Sequence, residues 1–300
     1  MVDTNEGTAE RLDTTSLKNA ETDTLREALK AEDNQTRIRA AATCLTLAEE
    51  NIDNVAPLIP VIVDRLDDER VAVLRDSATA LAFVAESRPG LLEGSIGPLV
   101  DLLTHDIPIV RAAAAKPIGS LTIERTKWFV PHVEALLDVI EEEIVDPTQG
   151  TKLEPLEEPH LFEEQRSISA GERRRQFAAR SVAANVLIEV SDTNSGALQD
   201  HIPRIVDHLD HDDDVVVGAC ADIIANVART NPEAATSAVD PLCSLLDSQN
   251  DMVRARATRA LGVLGEESAI APLRGVATDE NASQELRDLA ADTISWLEQP

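Results

Sequence analysis

The sequence predicts an all-α fold, a stack of seven helix pairs, and three observations predict it. First, an alanine follows a recurring arginine by three positions: Arg37/Ala40, Arg75/Ala78, Arg111/Ala114, Arg180/Ala183, Arg254/Ala257 and Arg287/Ala290, with Gly218/Ala221 as the copy whose arginine is replaced. Second, apolar residues keep the same phase seven and ten positions after each arginine, from Cys44/Leu47 and Ile118/Leu121 to Leu261/Leu264 and Ile294/Leu297. Such spacings lie on one helix face. A small residue fixed on that face lets a helix approach its neighbour closely in every copy, as stacked repeats require. Third, a proline announces the preceding helix of most copies (Pro60, Pro98, Pro131, Pro203, Pro241, Pro272), and in a first helical turn its missing N–H forfeits no bond.

The pairs fall in order at approximately 16–51, 55–88, 95–125, 130–192, 200–231, 236–266 and 269–298. The first carries Arg37; the second and third open at Pro60 and Pro98 and carry Arg75 and Arg111. In the fourth, 49 residues separate Pro131 from Arg180 where the other pairs use 13 to 15, so this copy holds an insertion. The fifth opens at Pro203, the sixth at Pro241 and the seventh at Pro272, the last with a polar outer face suited to a cap. Residues 1–15 are polar and read as a flexible N-terminal tail, leaving 16–300 as the solenoid.

The insertion, 146–171, contains three prolines and two glycines and predicts a loop rather than a continuous helix. Ser169 followed by Glu172 has the spacing of a capping box that restarts the helix and sets Arg173, Arg174 and Arg175 on its first turns. Leu153, Leu156, Leu161 and Phe162 are more apolar than a free linker needs, which predicts docking on the solenoid or on another protein.

The sixth copy shows the pattern most fully, with Pro241, Leu242, Leu245, Leu246 and Asp247 followed by Val253, Arg254, Ala257, Leu261 and Leu264. This resembles a HEAT repeat, and the short period is similar to the variant named after bilin lyases. Tetratricopeptide and ankyrin signatures are missing, and the chain has no tyrosine. The resemblance implies a right-handed α-solenoid of about seven HEAT-like pairs. It also implies that the recurring Asp and Arg residues, Asp68/Arg75, Asp106/Arg111, Asp247/Arg254 and Asp279/Arg287, form a ladder tying one repeat to the next.

Charge is the second independent fact. The chain has 55 acidic and 27 basic residues, a formal charge of −28, and uses arginine far more than lysine. This balance resembles proteins of extremely halophilic archaea, in which molar salt screens a self-repelling surface. No stretch has the length of a membrane span or the form of a signal peptide. Cys44, Cys220 and Cys243 are odd in number and widely spaced, which predicts reduced thiols and a cytoplasmic location.

No catalytic constellation stands out. His201, His208 and His211 lie among aspartates, but an acidic helix end accounts for them better than a metal site does. The paired His-Glu motifs of HEAT-like di-iron hydroxylases are absent. The one dense basic cluster, Arg173–Arg175, sits beside a glutamate-rich segment, which disfavours nucleic acid. No nucleophile–base pair or phosphate loop supports an enzyme, a cofactor or a small-molecule ligand.

What remains is a surface. Residues one, five and eight after each arginine point away from the apolar face, toward what the resemblance implies is the concave side. Excluding the last copy, Asp76 is the one acid among these 18 positions, so the stripe is either packing between helices or a face kept neutral for a partner. Phe83, Lys116, Asn185, Ile188, Ile223, Asn226 and Arg259 are its candidate contacts. The sequence thus predicts a non-catalytic scaffold or adaptor that binds one or more proteins through this stripe and the insertion, with a signalling adaptor as one form. The alternative is an accessory or chromophore-lyase-like component of an enzyme system.

Overall fold

The computed structural model describes residues 22–142 and 159–299, with side chains throughout except at 159–170, 172, 173 and 176. The predicted tail, 1–15, and residues 146–158 of the insertion lie outside the described residues. Among those described there is no strand, and the chain divides into two compact units, 1–121 and 122–300.

The first unit contains three helix pairs: α1 (Thr22–Lys30) with α2 (Asn34–Glu50), α3 (Ile59–Asp64) with α4 (Val71–Ser87), and α5 (Ile96–Asp101) with α6 (Pro108–Leu121). The second helices pack side by side, α2 on α4 and α4 on α6. In the second unit α7 (Val133–Glu141) packs on α8 (Pro159–Thr193). The pairs α9 (Ile202–Asp207) with α10 (Asp214–Thr230), α11 (Val239–Leu245) with α12 (Asp251–Leu264) and α13 (Ile270–Thr278) with α14 (Gln284–Leu297) follow. Again the second helices stack in order, α8, α10, α12, α14.

The fixed alanine explains that stacking. Ala40, Ala78, Ala114, Ala183, Ala221, Ala257 and Ala290 are each 0% exposed, so all seven copies use the position for closest approach. A larger side chain there would hold two helices apart. Five of the six prolines lie where predicted: Pro60 and Pro203 are the second residues of α3 and α9, and Pro98, Pro241 and Pro272 the third of α5, α11 and α13, whereas Pro131 falls in the 3-10 helix Thr126–His132 that precedes α7.

A second recurring device closes the turn between the two helices of a pair. Asp68, His105, His211, Ser248 and Asp279 occupy the same place, and each side chain accepts the N–H of the residue two further on, at 2.9–3.1 Å. Where this residue is aspartate, the arginine of the preceding repeat reaches it. Arg37 Nε donates to Asp68 Oδ2 at 2.6 Å and Arg254 Nη2 to Asp279 Oδ2 at 2.8 Å. The same guanidiniums bind carbonyls of their own turns, Ala31 and Glu32 for Arg37 and Leu246 for Arg254. Arginine's planar set of donors suits this double duty.

The ladder therefore exists, but its pairing differs from the predicted one. The Asp68 and Asp279 carboxylates bind Arg37 and Arg254, not Arg75 and Arg287, because the arginine near the start of a second helix projects toward the following repeat; Arg287 reaches the Asp279 carbonyl instead. Asp106 and Asp247 are each one residue off the turn position, which His105 and Ser248 hold. Arg75 pairs instead with its neighbour Asp76, and Arg180 with Asp213. The exception is instructive: Ser248 offers no carboxylate, and in the preceding repeat the arginine is Gly218. A Cβ on Gly218 would collide with Arg256 Nη1, whose guanidinium occupies the space and pairs with Asp222 at 3.4 Å.

The insertion is the larger correction. Residues 159–171 are not loop, and no helix restarts at Ser169: α8 begins at Pro159 and runs 35 residues through Gly171. Two of the three prolines, Pro147 and Pro155, precede it and the third opens it. One interior glycine costs only about 1 kcal/mol, too little to break a helix whose far half is packed. At 1.5 Å per residue α8 is about 52 Å long, twice the 17 residues of α2, α4 and α10.

Candidate functional site: a groove across the second helices

In the second unit, α8, α10, α12 and α14 together form a groove of about 840 Å³. α8 contributes Ile188, Glu189 and Asp192; α10 contributes Asp222, Ala225, Asn226 and Arg229. α12 supplies Arg259, Gly262 and Val263, and α14 supplies Asp292, Thr293 and Trp296. These residues lie four to nine and eleven or twelve positions after the repeat arginine or its Gly218 counterpart, the helix edge beside the buried alanine face.

The depth depends on small residues. A Cβ on Gly262 would stand 3.0 Å from Thr293 Cγ2, so α12 and α14 approach this closely because the position is glycine. At the far end Gly265, at φ +75°, ends α12 in the left-handed region, and Trp296 lies against it. Trp296 is 54% exposed, in a chain with two tryptophans.

Polar groups line the rim. Asp192 and Arg229 pair across α8 and α10 at 2.9 Å. Burial pushes the Asp222 carboxyl above its ordinary value, against the opposing pull of Arg256, Arg259 and Arg229. Among the described residues, Glu189, Asp292 and Arg259 have no side-chain ion pair or hydrogen bond.

The predicted stripe divides against this geometry. Ile188 is half-buried and Arg259 exposed, and both line the groove. Asn226 lines it too, but its amide is spent on the scaffold, donating to Ser191 Oγ at 2.8 Å and to the Ile188 carbonyl. Asn185 is exposed and borders a smaller hollow that also includes Ile188, Val215 and Met252. Ile223 does not point outward: it is 0% exposed, as are its stripe companions Ala80 in α4 and, at 1%, Ala219 in α10. At Ala80, Ala219 and Ile223, then, the neutral stripe is packing, on helices that have a neighbouring second helix on each side.

Phe83, half-buried on α4, and Lys116, exposed on α6, belong to the first unit. Leu153 and Leu156 lie outside the described residues, and Leu161 and Phe162 fall on the first turn of α8. Arg173, Arg174 and Arg175 are in mid-helix, the last two exposed. The sequence reading missed Trp296, Asp222 and Glu189, because the lining lies about one residue around the helix from the chosen stripe. A rare exposed-phase tryptophan in the last repeat was the available signal.

Elsewhere the polar side chains serve the scaffold. Arg204 of α9 binds Asp138 and Glu141 of α7, and His208 Nε2 meets Glu141 at 2.7 Å. His211 Nδ1 is engaged with the Asp213 N–H. Among the described residues no three His, Cys, Asp or Glu side chains converge as metal ligands, and no helix is long and apolar enough to cross a membrane. Burial pushes the Cys44 and Cys220 thiols up to about 12, leaving them protonated.

Stacked helix pairs, a zero-clearance alanine and an inter-repeat arginine ladder define an α-solenoid of the armadillo and HEAT class. Residues 202–295 match the family model for HEAT repeats. Solved structures show the same fold along most of the chain. An engineered protein aligns with a TM-score of 0.62 at 20% identity, covering 95% of this chain and 68% of that one. The archaeal HEAT-like repeats protein from Thermococcus onnurineus NA1 gives 0.58 at 14%, covering 93% and 97%. A computationally designed armadillo repeat protein for modular peptide recognition gives 0.55 at 18%, covering 81% and 99%. No curated protein sequence matches the chain.

Proposed function

We propose that the protein is a non-catalytic interaction scaffold that holds an extended segment of a partner protein in the groove across α8, α10, α12 and α14. The carrying observation is the groove itself: apolar at Ile188, Val263 and Trp296, charged at the rim, and built from the same face of four successive repeats. A repeated face offers equivalent contacts at regular intervals, which suits a chain running across the helices. The fold is typical of such scaffolds, and the designed armadillo protein for modular peptide recognition shares it. The reading includes a cytosolic adaptor whose second contact comes from the insertion, through Leu153, Leu156, Leu161, Phe162 and the exposed Arg174 and Arg175. The first-unit candidates Phe83 and Lys116 are proposed as peripheral contacts.

The test is selection of peptides from a random displayed library against the folded protein. Enriched peptides should lose at least tenfold in affinity for Arg259→Glu and Trp296→Ala while helicity is unchanged, and bind Arg70→Glu, outside the groove, normally. Peptides indifferent to both groove changes would place the binding surface elsewhere.

A further inference from the structure

The α14 end of the groove holds an exposed indole, a carboxylate four residues before it on the same helix face, and an excess of acid. Four carboxylates (Glu189, Asp192, Asp222, Asp292) face two guanidiniums, and Arg229 is already taken by Asp192. Asp222 is half-buried and is held by Arg256 at 3.4 Å, from outside the groove lining. Arg259 alone remains to balance Glu189 and Asp292.

Resting on the reading of this groove as a peptide site, we propose that it selects a partner segment carrying a lysine or arginine, whose cation lies over Trp296 and pairs with Asp292. The indole face attracts a cation within about 6 Å of its centroid, and residues four apart on a helix stand side by side. An indole serving only the fold would be covered; Trp296 has an edge beside Gly265 and is 54% exposed. The apolar stem of such a side chain would pack along Val263 and the indole while its head meets the rim. The chain's formal charge of −28 would also draw a basic segment in before contact.

The experiment uses the full-length protein with Trp128→Phe, which makes Trp296 the sole fluorophore, in about 1 M KCl, where a screening length of about 3 Å suppresses general attraction and spares contact pairs. The probes are three eight-residue peptides: alternating Lys-Arg, alternating Glu-Asp, and an uncharged Gly-Ser-Leu sequence. The Lys-Arg peptide should change Trp296 emission saturably. Asp292→Asn should weaken that binding at least fivefold, and Asp200→Asn, an exposed acid off the groove, less than twofold. If the acidic or neutral peptide binds as well, or if the two variants behave alike, the basic preference is wrong while the groove reading stands. If no peptide of any charge perturbs Trp296 and the library peptides ignore it too, both fall.

Discussion

At the scale of single residues, the turn position and the arginine before it behave as one unit. Arg37 and Asp68 are the most enclosed pair; burial alone would raise the Asp68 carboxyl, but the hydrogen bond from Arg37 and the Arg70 N–H hold it below its ordinary value. Removing one partner strands the other, so Asp68→Ala should lose about 3–5 kcal/mol in chemical denaturation. A smaller loss would show that the ladder is ornamental. At the turn residue His211 the structure carries a pH dependence. Burial, then the charge of Arg180, lowers the His211 pKa from 6.5, while Asp213 and Asp212 pull the other way. The folded state therefore disfavours the protonated ring. Its contribution is complete above the unfolded value and is lost as pH falls through the folded one. His211→Asn keeps an acceptor for the Asp213 N–H and should remove part of the stability loss between about pH 7 and 5; identical pH profiles would exclude His211 as the titrating group. Gly218 supplies a third case. Gly218→Ala should destabilise by about 1–3 kcal/mol through overpacking on Arg256, and Arg256→Ala should relieve most of that penalty in a double-mutant cycle. Additive effects would show that the two side chains do not compete for one space.

At the scale of elements, the alanine and proline spacings made the helix pairs legible because packing distance and first-turn geometry are local consequences of residue type. Which arginine meets which aspartate was not legible, since that depends on the offset between neighbouring repeats. The neutral stripe failed at Ile223 for a related reason: a helix flanked on both sides buries more than one face, and sequence phase does not say how wide the buried arc is. Trp296 and Asp292 were passed over because the last repeat read as a polar cap. The length of α8 was hidden by counting the prolines of 146–171 together, although all of them lie at or before its start. Gly171 tests the continuity of that helix. Nothing lies within 4 Å of a Cβ built there, so Gly171→Ala should stabilise the protein by about 0.5–1 kcal/mol. A loss of stability would mean that the glycine serves a bend.

At the scale of the whole molecule, a formal charge of −28 acts on a core of small side chains with few aromatics. The charge balance predicts that helical circular dichroism falls away below a few tenths molar salt and returns near roughly 2 M, where screening lengths shrink to a few Å. Full helicity and an unchanged melting temperature in dilute buffer would contradict the halophilic reading. Salt then sets the conditions for every binding test, because folding and partner attraction respond to it in opposite directions. The most direct test of the scaffold function is amide hydrogen exchange in molar KCl with and without a library-selected peptide. The account predicts slowed exchange confined to the C-terminal halves of α8, α10, α12 and α14 around Ile188, Arg229, Val263 and Trp296. Protection located only on the first helices of the pairs, or none at saturating peptide, would contradict it.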